Sequence, residues 1–218
     1  MGLVHSPQII MNGLVLCLDA GNSRSYPGSG TTWTDLSGRG NNGTLVNGVG
    51  YSGSNGGSLS FDGSNDYVDC GKTATQFGIY NSSYTMSAFF RVPNLSGDKM
   101  VFGTPTQASR QGLHHGVRDT TFYFGHYTSD VSGGTVVANT WYFGTWVWSS
   151  GGSTSIYING SSVASGTTNG FQGTDNIRVG SSWFVFTGNI VNPMIYNRAL
   201  TASEIRQNFN AMRGRFGI

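Results

Sequence analysis

The segment STSIYINGSSVAS, residues 153–165, decides the fold class. Two short runs flank Asn159-Gly160, a pair suited to a type I′ turn because both central residues there need positive φ. Strand, two-residue turn, strand is the pattern of an antiparallel hairpin. Asn-Gly recurs at 12–13, 42–43, 47–48, 55–56 and 169–170, each time between apolar or alternating runs.

Working outward, GLVLCLD (13–19) predicts a buried strand. SLSFDG (58–63) followed by DYVDC (66–70) predicts a tight hairpin. In SYTMSAFFRV, Tyr84, Met86, Ala88, Phe90 and Val92 fall on one face at period two. DKMVFGT (98–104), GLHHGVR (112–118), TFYFGHY (121–127) and TWYFGTWVWSS (140–150) predict a continuing meander, with NIRVG (176–180) and WFVFTGNIVNPMIY (183–196) completing it. Pro193 cannot donate to a ladder, which places it at a sheet edge or a bulge. A single helix is predicted over 201–213. Thr201 and Glu204 form a capping box, Ile205, Phe209 and Met212 form one apolar stripe, and Gly214 is the expected stop. Many short strands and one terminal helix predict an all-β, two-sheet antiparallel jelly-roll sandwich. No linker or repeat divides it, so 1–218 is expected to be one domain, with 1–12 as an N-terminal arm.

Composition narrows the function classes. The 218 residues include 34 glycines and only 10% charged side chains, yet 13% are aromatic, which supports a packed core over disorder. The net charge of +2 comes from scattered arginines. Arg206, Arg213 and Arg215 are the nearest thing to a patch and read as solvated helix charges, so nucleic acid is not an expected partner. No apolar run reaches membrane-spanning length, and MGLVHSPQIIMNG lacks a basic, signal-length opening. Membrane insertion is therefore not expected, and synthesis in a cytoplasm is. Cys17 and Cys70 are either two buried thiols or one disulfide.

Four motifs in order carry a family resemblance. GLVLCLDAGNSRSYPGSGTTWTDLSGRGNNGTLVNG (13–48), LSFDGSNDYVDCG (59–71), SIYINGSSVAS (155–165) and IYNRALTASEI (195–205) together resemble the laminin-G-like / concanavalin-A-like jelly rolls. That fold hosts lectins, adhesins, glycosidases and structural modules alike. GLHHGVRDTTFYFGHY with the ending ALTASEIRQNFNAMRGRFGI resembles the form found among phage structural proteins. The resemblance implies a virion structural or decoration protein on a capsid or tail surface, made in a host cytoplasm. Its partners would be other virion proteins, copies of itself and a cell-surface glycan. A lectin-like adhesin for host attachment is the alternative.

Enzymatic function is not expected. Glycosidases of this fold need paired carboxylates, whereas Glu204 is the sole glutamate, accounted for as a cap, and no strand carries Asp-x-Asp. His114 and His115 are adjacent, so they point to opposite sheet faces, and with His126 they are expected as half-buried or rim residues rather than a metal site. No cofactor is required. Asp62, Asn65 and Asp66 are the candidate calcium ligands, in competition with ordinary turn hydrogen bonding. The candidate glycan-binding residues are Tyr123, Tyr127 and Trp183 for stacking, and His115, Arg118 and Asp119 for hydrogen bonds. Trp33, Trp141, Trp146 and Trp148 are assigned to the core or its margins. The segments 114–127 and 183–196 are the expected exposed surfaces for assembly.

Overall fold

The computed structural model of the chain describes residues 7–218. The first strands are β1 Leu14–Cys17, β2 Thr32–Trp33, β3 Gly43–Val46, β4 Gly50–Ser52, β5 Ser58–Asp62 and β6 Tyr67–Thr73. A one-turn helix, α1 Ala74–Phe77, precedes β7 Tyr84–Arg91, β8 Asp98–Gly103, β9 His114–Arg118, β10 Thr121–Gly125 and β11 Asp130–Thr135. Then come β12 Tyr142–Trp148, β13 Ser153–Ile158, β14 Ser161–Thr167, β15 Asn176–Val179 and β16 Thr187–Tyr196, and helix α2 Ala202–Met212.

The strands form two antiparallel sheets of eight. One runs β14-β13-β12-β7-β16-β5-β4, with β1 also paired to β16; the other runs β11-β10-β9-β8-β15-β6-β3-β2. This is the predicted jelly-roll sandwich. The Asn159-Gly160 turn has φ of 51° and 78° and joins β13 to β14, as the dipeptide requires. Of the other Asn-Gly pairs, 47–48 and 55–56 also place both residues at positive φ, whereas Gly43 lies inside β3.

Several expectations are corrected. The runs 58–63 and 66–70 do not form a hairpin: β5 pairs with β16 and β4, while β6 pairs with β15 and β3 in the opposite sheet. The turn between them carries the chain across the sandwich, so Phe61 and Val68 meet in the core from opposite sides. The meander likewise holds only for β8 to β11, and β12 has crossed to the other sheet. Pro193 is not at an edge. It sits in the interior strand β16, where the register slips between Val191 and Met194 and Asn192 takes φ 52°, so the bulge alone removes the need for its N–H. Ile190–Tyr196 are buried, and segment 183–196 is thus not an exposed assembly surface.

Tyr84, Met86, Ala88, Phe90 and Val92 face the main core, as their alternation predicts. The outer face of β7 is buried as well, because α2 and the chain end cover it. Phe89 lies 4.2 Å from Phe216, and Ile205, Phe209, Val191 and Trp141 complete this second core. Thr201 and Glu204 make the predicted capping box. Glu204 is more than a cap, however: its two oxygens accept from Arg198 at 2.9 and 2.7 Å, chiefly the cause of a carboxyl pKa lowered to about 2. Gly214 is not the stop. The helix gives way to one 3₁₀ turn, Arg213–Arg215, that returns Phe216 to the sheet. Arg215 is not simply solvated, since it donates to both oxygens of Asp19 at 2.9 Å. Helix α1, with its own capping box of Thr73 and Gln76, was not anticipated. Residues 1–6 of the expected N-terminal arm lie outside the described residues; Ile9 and Ile10 of the remainder pack against the second core.

Cys17 and Cys70 are free and buried, one in each core, which excludes the disulfide. Burial raises the Cys17 thiol to about 12, so both are packing groups rather than nucleophiles.

Candidate functional site

Strands β9, β10 and β11 build the site through their alternation. On β9 the side chains of His114 and Arg118, each two residues from Gly116, share the outer face, while His115 and Val117 point inward. Tyr123 of β10 lies opposite Gly116, so its ring sits between His114, stacked at 5.4 Å, and the Arg118 guanidinium, 3.9 Å from its centroid. Gly125 faces both His114 and Asp130. A Cβ there would overlap His114 Nε2 and fall 2.5 Å from Asp130 Oδ1, so the glycine is what lets those two side chains meet across β10.

The polar groups are tightly wired. Asp130 accepts from the Tyr123 hydroxyl at 2.6 Å and from His114 Nε2 at 3.2 Å. His114 Nδ1 lies 3.1 Å from the Gly112 carbonyl, so both ring nitrogens face acceptors. Burial opposes ionisation of Asp130, but the hydrogen bonds from His114 and Tyr123 outweigh it and hold its pKa below the usual carboxylate range. Burial and then the bond to Asp130 push Tyr123 upward, so it stays a phenol. Arg118 donates to Asp98 through Nε at 2.6 Å and Nη2 at 3.2 Å.

Above this floor stand Trp183 and Tyr127, whose rings meet edge to face at 5.5 Å; Trp183 also meets His114 at 4.7 Å. With Gln107, Thr128 and Phe184 these residues line an open cleft of about 580 Å³. Tyr127 and Thr128 form the tip of the β10–β11 turn at φ 49° and 66°. Such values are rare for a β-branched residue, and strain of this kind concentrates at binding sites.

Of the six candidate glycan residues, the cleft gathers Arg118, Tyr123, Tyr127 and Trp183. Tyr123 is only 7% exposed and has both faces covered, which makes it floor rather than stacking platform. Asp119 lies outside: it turns the β9–β10 hairpin and accepts the Gly97 N–H at 3.0 Å. His115 is overturned, being wholly buried on the core side. His126 is also wholly buried, so neither is a rim residue, and segment 114–127 is for the most part interior rather than an assembly surface. Sequence reasoning missed His114 and Asp130. Strand parity could have found the first, since 114 and 118 share a face and 115 does not.

The inner face carries a second polar group. Tyr84 Oη lies 2.7 Å from His115 Nε2 and 2.6 Å from His126 Nε2, and His126 Nδ1 lies 2.5 Å from the Asn169 carbonyl. That carbonyl only accepts, so His126 carries its proton on Nδ1 and its Nε2 takes the Tyr84 hydroxyl proton. Tyr84 in turn accepts from Nε2–H of His115, leaving His115 Nδ1 as a buried lone pair without a partner. Burial lowers His126 to about 3, drives His115 well below the usual histidine range and raises Tyr84.

At the calcium candidates, Asp66 Oδ2 accepts the Asp62 N–H and Asp62 Oδ1 accepts the Ser64 N–H. These are turn bonds. Asp66 Oδ1 is buried without a partner and could serve as one hard-oxygen ligand, but no group of three metal-type side chains converges among the described residues.

The comparisons agree with this architecture. Residues 62–206 match the concanavalin A-like lectin/glucanases superfamily, and the chain belongs to that family. Its fold is lectin-like. It is similar to the sialidase of Trypanosoma rangeli, at 19% identity and TM-score 0.68 over 93% of this chain, though only 33% of that protein. Domain 4 of AbnA, a GH43 extracellular arabinanase from Geobacillus stearothermophilus solved with arabinotriose, is 19% identical with TM-score 0.66, covering 89% of this chain and 97% of the domain. The binding domain of botulinum neurotoxin DC, solved in complex with SialylT, is 17% identical with TM-score 0.69, covering 93% and 52%. No curated protein sequence matches the chain.

Proposed function

We propose that the protein is a non-catalytic carbohydrate-binding domain whose ligand occupies the cleft of Trp183, Tyr127, Asp130 and Arg118. The observation that carries this reading is the pairing of half-exposed aromatic walls with an ionised carboxylate in an open cleft of about 580 Å³. Aromatic rings take the apolar face of a sugar, and a few fixed polar groups orient its hydroxyls. Binding domains solved with glycans share the fold. The reading needs no metal, because the polar groups of the cleft hold one another, and chelator treatment is expected to leave binding unchanged.

The carboxylates support binding over hydrolysis. Asp130 lines the cleft and Asp98 holds Arg118 beside it, on strands separated by β9 and β10. Three strand spacings put them about 14 Å apart across the sheet. Paired glycosidase carboxylates stand roughly 5–9.5 Å apart.

Titration calorimetry with a panel of oligosaccharides tests the proposal. Trp183→Ala is expected to weaken binding by about five- to 150-fold, the effect of losing a stacking contact worth about 1–3 kcal/mol. A Trp183→Ala protein that binds as wild type would refute the cleft.

The phage-virion setting rests on the sequence resemblance of the central and C-terminal segments. A tile of this kind on a capsid or tail would display the cleft to host glycans, and co-sedimentation with assembled particles tests that placement.

A further inference from the structure

The cleft's charges are already committed to one another, and this bears on which sugars it takes. Resting on the carbohydrate reading above, we propose that the site selects neutral saccharides and rejects those carrying carboxylate or sulfate groups. Preferring an anionic sugar to its neutral counterpart requires a cation whose charge is not already met. Arg118 is the one arginine lining the cleft, and its Nε and Nη2 are both held by Asp98. Its plane is fixed against Tyr123 and its charge is already met by Asp98, so the N–H groups left on Nη1 and Nη2 can donate to hydroxyls but belong to an ion pair with no net charge to draw in a carboxylate. His114 has both nitrogens engaged, by the Gly112 carbonyl and Asp130. Arg110, on a neighbouring loop, is turned to the Gly170 carbonyl and Asn81 and does not line the cleft.

What faces the ligand is therefore acceptor-rich. Asp130 keeps 31% of its side chain exposed, and each oxygen has one protein donor and a lone pair to spare. Sugar hydroxyls can donate to those lone pairs. A sugar carboxylate cannot, and it would be desolvated beside a like charge.

The test is calorimetry on matched pairs that differ by one acidic group: lactose against sialyllactose, and galactose oligomers against galacturonate oligomers. The neutral member of a pair that binds is expected to do so at least about tenfold more tightly, with the gap narrowing as salt is added. Acidic members binding equally or more tightly would overturn the selectivity while leaving the carbohydrate reading intact. Failure of every sugar to bind the folded protein would remove both. Asp130→Asn, nearly isosteric, is expected to weaken neutral-sugar binding and to draw the ratio toward one. An unchanged ratio in that variant, with its fold checked by thermal melting, would contradict the role given to Asp130.

Discussion

His114 and His115 are neighbours in sequence and have opposite fates. His114 points out of the sheet, where Asp130 and Gly112 hold it among the cleft's charged groups. His115 points in, where it shares the Tyr84 hydroxyl with His126 amid aromatic rings. The strand's two-residue period alone makes the difference. Outside, a histidine can hold a carboxylate at the floor of a cleft; inside, the same ring is tolerated only neutral, with a single phenol serving two imidazoles. One face thus opens onto a cleft, and the other ties the sheets together.

The largest expected effect breaks the inner face by acid. Both inner histidines titrate well below their unfolded pKa of about 6.5. Between that value and about 3 for His126, the unfolded chain binds protons that the folded protein refuses. Stability is therefore full above pH 6.5 and is lost as pH falls, by up to about 1.4 kcal/mol per pH unit for each histidine. Denaturant melts at pH 6 and pH 4.5 should differ by about 2 kcal/mol from His126 alone, with His115 adding to the loss in the same direction. A flat profile over that range would show that these rings are not held neutral.

Tyr84→Phe comes next. It removes the one hydroxyl that serves both rings and leaves a buried donor and a buried acceptor unpaired, at a cost of about 2–4 kcal/mol. Once folded, the variant should bind glycan as wild type does, because Tyr84 does not line the cleft. Gly125→Ala attacks the outer face instead. The added methyl displaces His114 from Asp130, with an expected loss of about 1–3 kcal/mol in stability and weaker glycan binding, both read from one calorimetric series. The smallest effect is of opposite sign: Thr128→Asn places a residue tolerant of φ 66° at the strained tip and should raise stability by about 1 kcal/mol.

The contrast also explains what the sequence could and could not say. Local features were legible because neighbours in the chain determine them: the Asn159-Gly160 hairpin, the Thr201–Glu204 box and the alternation of β7. Partner choice was not. SLSFDG and DYVDC read as strands joined by a short turn, and nothing within them reveals that the turn crosses between sheets. Strand β11 is not legible because DVSGGT has no apolar alternation, none of its residues being buried, and Asp130 goes with it. The apolar run that begins at Trp183 reads as strand, whereas β16 starts only at Thr187 and the tryptophan is free to form a cleft wall. Arg118, Tyr123 and Tyr127 belong to the β9–β10 hairpin and the turn after it, so their nearness follows from neighbouring positions in the chain.

Sugar held at the Trp183–Tyr127–Asp130 cleft must disturb that cleft and leave the inner face untouched. Chemical-shift mapping on isotope-labelled protein saturated with a neutral oligosaccharide tests it most directly. The predicted result is a set of shifts confined to the Trp183 indole, the amides of Tyr127 to Asp130 and the His114 ring, with Tyr84 and His115 undisturbed. Shifts clustered elsewhere, or none at saturating sugar, would contradict it.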